Sequence, residues 1–313
     1  MKSAGHEPGT GVTSTEGPLD PGVRRDDGPR TSDIGRRTFL RILLNTIALD
    51  PNRWTDDKIP YFKLIDLLPA VARHGFKDLE IWQFHVDRLT QSELSEVKSR
   101  LDSLGTSAPV LGIYPTIHLE GDEAHREQAH AERLLDVAAF LGSDLVKMFV
   151  GSVGSGKLDQ EACDRSLDFL ERLTEAAASR RLRLTGETHA NTLFDTVEST
   201  LWTLDRLDPD WFGVCFQPYD ANLAGAMGAF MAMRNRIWHL HYQGRKGREI
   251  CLLSEADLDY AEYTRFIAES GFSGYLCIEF VKDCVVPRPE ELDVEKVLTN
   301  AERDREFIRE YLG

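Results

Sequence analysis

A chain of 313 residues with 52 acidic and 37 basic side chains carries a formal charge of −15 and a sequence pI near 5.1. Such acidity repels nucleic-acid phosphates and anionic lipid. No local basic patch offsets it, and no apolar run approaches the roughly 18 residues needed to cross a bilayer. Five cysteines (Cys163, Cys215, Cys251, Cys277, Cys284) lie scattered without CxxC spacing, which reads as reduced thiols in a cytoplasmic protein.

Residues 1–37 hold seven Gly, four Pro and only six apolar residues, with six acids and six bases. They bury no core and add nothing to the net charge, so a disordered tail is expected, followed by one domain over 38–313. Gly35-Arg36-Arg37-Thr38-Phe39-Leu40-Arg41 resembles a twin-arginine export signal. The apolar stretch after it ends in Asp50-Pro51-Asn52-Arg53 without a small-residue cleavage site, and it suits a first core strand better.

From there, strand-like runs recur in chain order: LRILLNTIAL near 41, KDLEIWQF near 77, PVLGIYPTI near 109 and DLVKMFV near 144. LRLTGET near 182, WFGVCFQ near 211, IWHLHYQ near 237 and YLCIEFV near 275 follow. The mean spacing, about 33 residues, accommodates a strand, a loop and a crossover helix. Amphipathic stretches fill the gaps at Tyr61–His74, Glu93–Leu104, Ala124–Leu141, Leu158–Ser179 and Val197–Leu207, and Gly75, Gly105, Gly142 and Gly271 close four helical patterns. Eight such units predict an α/β fold, a (β/α)8 TIM barrel. A doubly wound nucleotide-binding sheet would place a glycine-rich turn after the first strand, where Asp50-Pro51-Asn52-Arg53 stands.

Active-site side chains of a barrel project from the C-terminal ends of its strands. Those ends supply Glu80, His118, Lys147, Glu187 with His189, Gln217 with Asp220, His241 and Glu279. The segment Gly151-Ser152-Val153-Gly154-Ser155-Gly156-Lys157-Leu158 has the GxxxxGK of a phosphate loop, yet Leu158 stands where Ser or Thr would ligate Mg²⁺. An ordinary βα loop is the better reading.

The late strands carry a resemblance. Glu187 within ETH, His241 as the second histidine of HLH and Glu279 within YLCIE occur in the order and spacing of the xylose isomerase-like barrel superfamily, the sugar phosphate isomerases and epimerases, which the chain resembles from about residue 40 to its end. The resemblance implies one divalent metal (Mn²⁺, Mg²⁺, Co²⁺ or Zn²⁺) held by Glu187, Gln217, His241 and Glu279, with Glu187 and Glu279 doubling as catalytic acid and base. Gln217 departs from the pattern, which has Asp there. The departure leaves three readings: the amide oxygen ligates, His189 or Asp220 replaces it, or the metal is lost.

The implied activity is metal-assisted proton transfer α to a carbonyl of a polyhydroxylated, sugar-like small molecule, through an enediolate, as an isomerase or epimerase of carbohydrate metabolism. A dehydratase or other lyase on the same barrel is the alternative, and a catalytically silent sugar-binding or partner-binding barrel is the third. Barrels of this superfamily commonly pair, so a homodimer is open. DNA-repair relatives would need more histidine ligands and a basic surface.

Glu80, His118, Lys147, His189, Asp220 and Arg245 are the expected substrate contacts. Each has a bland alternative. Glu187 and Glu279 could pair with Lys147 or Arg183, His239 could compete with His241, and Arg245, Lys246 and Arg248 could form a solvated loop rather than an anion site. Trp54, Trp82 and Phe84 could stack on a ring or belong to the core.

Overall fold

Eight parallel strands close on themselves in a computed structural model that describes residues 40–313. The expected tail of residues 1–37, its boundary and most of the twin-arginine-like stretch lie outside those residues. The barrel strands are β1 (Arg41–Asn45), β2 (Asp78–Trp82), β3 (Ser107–Ile113), β4 (Leu145–Phe149), β5 (Arg183–Glu187), β6 (Phe212–Phe216), β7 (Ile237–Gln243) and β10 (Tyr275–Phe280). Between the last two, β8 (Arg245–Lys246) and β9 (Glu249–Ile250) make a small antiparallel hairpin. The helices are α1 (Leu64–Arg73), α2 (Gln91–Leu104), α3 (Gly121–Leu141), α4 (Gln160–Ser179), α5 (Val197–Leu204), α6 (Leu223–Met233), α7 (Tyr260–Glu269) and α8 (Val294–Leu312). The (β/α)8 TIM barrel read from the sequence is the fold observed.

Local chemistry explains the boundaries. Thr90 and Glu93 form a reciprocal capping box at the start of α2, and Gly75, Gly105, Gly142 and Gly271 all take positive φ where four helices stop. The first strand is shorter than expected. The Asn45 side chain accepts a hydrogen bond from the Ile47 amide at 3.0 Å and turns Thr46–Leu49 into a short helical turn. Helix α6 has no polar stripe, because LAGAMGAFMAM is apolar on every side, and so it leaves no amphipathic signature.

Alternation along each strand separates two cores. Outward-facing residues such as Leu44, Ile81, Leu111, Val146 and Leu184 pack under the helices in the main apolar layer. Inside the barrel the apolar filling is a small plug of Leu43, Val110, Leu145 and Cys277. Barrel interiors are ordinarily dominated by branched apolar residues, so the charged groups above this plug call for a functional explanation.

Candidate active site

The same alternation turns Glu80, Lys147, Glu187, His239, His241 and Glu279 into the barrel, all buried. Register places Asn45 beside Glu80, Gly112 beside Lys147, and His241 beside Cys277. At Gly112 an added Cβ would stand 3.0 Å from Glu80 Oε1 and 3.3 Å from Lys147 Cε, so the missing side chain makes room for that pair of charges.

Two groups share His241. On one side of the ring, Nδ1 lies 3.4 Å from Glu187 Oε1 and 3.5 Å from Glu279 Oε1. On the other, Nε2 meets Glu80 Oε2 at 2.9 Å, and His239 Nε2 lies 3.2 Å from the same oxygen. Glu80 also accepts from Asn45 Nδ2 at 2.9 Å. Glu80 therefore orients the imidazole from behind, presenting Nδ1 to Glu187 and Glu279, the arrangement by which an outer carboxylate fixes a ligating histidine. The sequence placed Glu80 against substrate; the structure puts it in contact with His241.

The upper group fits a divalent cation. Glu187 Oε1, His241 Nδ1 and Gln217 Oε1 are buried with no hydrogen-bond partner among the described residues, and Glu187, His241 and Glu279 bring one ligand atom each to within 4.8 Å of one another. Carboxylate and amide oxygens only accept, and no hydrogen bond among the described residues reaches these atoms, so a divalent cation would satisfy them. These groups could hold a metal ion; its identity is not determined by oxygen and imidazole donors of this kind.

A second cation is built in. Lys147 Nζ contacts Glu187 Oε2 at 2.8 Å and lies 3.9 Å from Glu80, with its head over the rings of Tyr114 and Phe149. Burial opposes charge on Lys147, but Glu187, Tyr114 and Glu80 outweigh it and raise its pKa well above the ordinary value. Burial likewise works against ionised Glu187, yet Lys147 and then His241 hold it far below the usual carboxylate range. Glu80 is held at about 2 against its own burial by His241, His239 and Lys147. Burial pushes His239 down to about 3, so that ring is neutral at pH 7. His241 is raised well above its usual value despite burial, by Cys215, Glu80, Glu279 and Glu187. An ion binding at Nδ1 would displace that proton.

Above these groups opens a cavity of about 500 Å³. Gln217, His189, Glu279 and Arg245 line it, and Lys147 and Glu187 lie beneath, fully buried. His189 donates from Nδ1 to the Ala190 carbonyl at 2.8 Å and its ring lies against Phe149. Asp220 is exposed and accepts from the Asn222 amide at 2.8 Å, outside the cavity wall. His118 sits in the turn after β3, also outside the wall, where its carbonyl accepts from Arg165. At the end of β6 it is thus the Gln217 amide oxygen that is buried and unpartnered among the described residues, while Asp220 lies outside the cavity wall. The walls are aromatic: Trp54, Trp82, Phe84, Tyr114, Phe149 and Phe280. Gln243 was missed, although it continues the inward series His239, His241, and its amide donates to Glu279 Oε2 at 3.3 Å.

The phosphate-loop lookalike is occupied from within. Asp195 accepts from the Ser155 amide at 3.1 Å and the Ser155 hydroxyl at 2.6 Å, taking donors a phosphate would use. Among the described residues no helix is long and apolar enough to cross a membrane.

Comparison with known proteins agrees with this architecture. A family model described as xylose isomerase-like TIM barrel matches residues 68–311. A 3-dehydroshikimate dehydratase of Bacillus anthracis is 23% identical over 201 residues, spanning 63% of this chain and 71% of that protein. The crystal structure of D-psicose 3-epimerase from Clostridium cellulolyticum H10 superposes with a TM-score of 0.69 at 17% identity, over 87% of this chain and 99% of the other. The IolI protein with a bound zinc atom superposes with a TM-score of 0.67 at 15% identity, over 87% and 99%. At such identities the two structural likenesses show a common barrel.

Proposed function

Since the chain belongs to the xylose isomerase-like TIM-barrel family, we propose that it is a cytoplasmic lyase of the dehydratase type, acting on a small polyhydroxylated carbonyl compound by removal of the proton α to the carbonyl. The sequence put isomerase or epimerase first, and reprotonation on the opposite face calls for two bases reaching substrate. One observation reverses that order. Glu279 lines the cavity, whereas Glu187 is fully buried below it with Oε2 engaged by Lys147 at 2.8 Å.

A single facing carboxylate suffices for elimination. Glu279 accepts the α proton, and the electron pair of the broken C–H bond becomes the new C=C bond as the β C–O bond breaks. Glu279 then returns the proton to the departing hydroxyl, which leaves as water, and the carboxylate is regenerated. Gln243 steadies Glu279 through this cycle, and aromatic side chains line the cavity that Glu279 faces. A divalent cation held by Glu187, Gln217, His241 and Glu279 would polarise the carbonyl and acidify the α C–H bond.

The dehydratase relative supports the same direction, and its named substrate, 3-dehydroshikimate, is a ring carrying a ketone, hydroxyls and a carboxylate. The test incubates protein supplied with Mn²⁺ with 3-dehydroshikimate and, separately, with D-psicose, in deuterated buffer. Formation of 3,4-dihydroxybenzoate, abolished in Glu279→Gln, is the expected result, with D-psicose returned unlabelled. Inverted, deuterium-labelled ketose without loss of water would reinstate the epimerase reading, and no product or label from either compound would sink enolisation on both.

A further inference from the structure

Three long cationic side chains line the cavity, Arg53 buried, Lys58 half-buried and Arg245 exposed, and they are not equivalent. Arg53 is spent on the fold: its guanidinium donates to the carbonyls of Ile47 at 2.7 Å, Ala48 at 3.0 Å and Cys284 at 2.9 Å. Lys58 uses one of its three ammonium donors, on the Thr55 carbonyl at 3.1 Å. Arg245 commits only Nε, to Gln243 Oε1 at 2.8 Å, and its two terminal amino groups meet no partner among the described residues.

The position of Arg245 is built rather than incidental. Its carbonyl accepts from the Asp257 amide at 2.8 Å, and Asp257 in turn accepts from the Gly247 amide at 2.6 Å. At Gly244 an added Cβ would fall 2.4 Å from the Cys251 carbonyl oxygen, so the chain leaving β7 is pressed against the strap that follows β9. Lys58 is held at φ 45°, a conformation that residues with a Cβ rarely adopt. Below Arg245, Gln243 is buried, accepting from Nε with its carbonyl oxygen and donating with its amide to Glu279 Oε2 at 3.3 Å. One amide thus joins an uncommitted guanidinium at the mouth to the carboxylate that faces the substrate.

We propose that Lys58 and Arg245 form an anion subsite at the cavity mouth, which takes the carboxylate or phosphate of a flat-ringed substrate, and that Gln243 positions Arg245 for it while holding Glu279. The aromatic walls supply faces for the ring, and the guanidinium supplies the paired donors that a planar carboxylate or a phosphate accepts. This deepens the proposed function. It rests on that reading only for the role of Glu279, because capture of the anion stands independently of any turnover.

The test is calorimetric titration of the full chain with two probes, 3,4-dihydroxybenzoate and catechol, and with inorganic phosphate as competitor. Both probes offer a metal the same pair of adjacent hydroxyls, and dihydroxybenzoate adds the ring carboxylate. Dihydroxybenzoate is expected to bind at least tenfold more tightly than catechol, and Arg245→Ala and Lys58→Ala are each expected to remove most of that preference while leaving catechol unchanged. Gln243→Leu should reduce the preference as Arg245→Ala does, and the double variant should be no worse than Arg245→Ala alone. Displacement of dihydroxybenzoate by phosphate assigns the subsite to phosphate esters as well; without displacement it is a carboxylate site. Equal binding of the two probes, binding of neither, or a preference that survives Arg245→Ala and Lys58→Ala overturns the subsite. A preference untouched in Gln243→Leu overturns the positioning role. A preserved preference with no conversion of 3-dehydroshikimate refutes the proposed reaction and leaves the subsite standing.

Discussion

Replacing Lys147 with Met removes the ammonium group while keeping an unbranched side chain in a fully buried position. Glu187, 2.8 Å away, then loses its nearest counter-charge, and Glu80, at 3.9 Å, loses a second one. Removing one partner of a buried ion pair costs about 3–5 kcal/mol, because the remaining charge stays out of water without compensation. The geometry, with two carboxylates losing one cation, places Lys147→Met toward the upper part of that range. At about 2 °C per kcal/mol for a chain of this size, the melting temperature should fall by roughly 8–10 °C. The double variant Lys147→Met/Glu187→Gln, which removes both charges, should regain most of the loss. Urea titration in chelator, followed by the same titration with Mn²⁺, measures it. The cation should restore more stability to Lys147→Met than to the wild type, since it neutralises the carboxylates that Lys147 no longer faces. A single variant within 1 kcal/mol of wild type, or a double variant less stable than the single one, would refute the assignment of Lys147 as the internal counter-cation of Glu187.

Two further changes probe charge elsewhere. Asp304 is buried, accepts from the Leu253 amide at 2.9 Å through Oδ1, and is pushed by burial up to about 7. Its folded pKa lies above the unfolded value, so its contribution is fully present below about pH 4 and is lost as pH rises through about 7. Asp304→Asn, neutral throughout, should therefore gain about 2–3 kcal/mol on wild type between pH 5 and pH 8, and urea midpoints at the two pH values decide it. Gln217→Asp restores a negative charge beside the orphaned oxygens of the upper group and should tighten Mn²⁺ binding roughly tenfold or more by calorimetry, while unchanged affinity would place residue 217 off the metal.

The late strands were legible because their signals are local. In IWHLHYQ, period-two alternation puts His239, His241 and Gln243 on one face, and strand ends of a barrel face the site, which identified Glu187, His241 and Glu279 without coordinates. The same rule selected Glu80 and Lys147 but not their partners His241 and Glu187, since position along a strand does not say which side chain lies above another. His118 and Asp220 were picked by distance past a strand end, and loop turns carried both outside the cavity wall. Gln243 carries the same periodic signal as the histidines, but only tertiary contact with Glu279 and Arg245 marks it out.

Sequence by itself determined the barrel, the inward faces of its strands and the acceptors able to hold a cation, because alternation, capping and spacing act over a few residues. Barrel closure decided the rest. It set His241 against Glu80 across 161 positions of chain, drew Lys147 onto Glu187, and left Glu279 as the glutamate of that pair facing the cavity. In a buried interior, the order of charges along a strand counts for less than which oxygen meets which proton across the barrel, and distances of about 3 Å, beyond the reach of sequence pattern, settle those pairings.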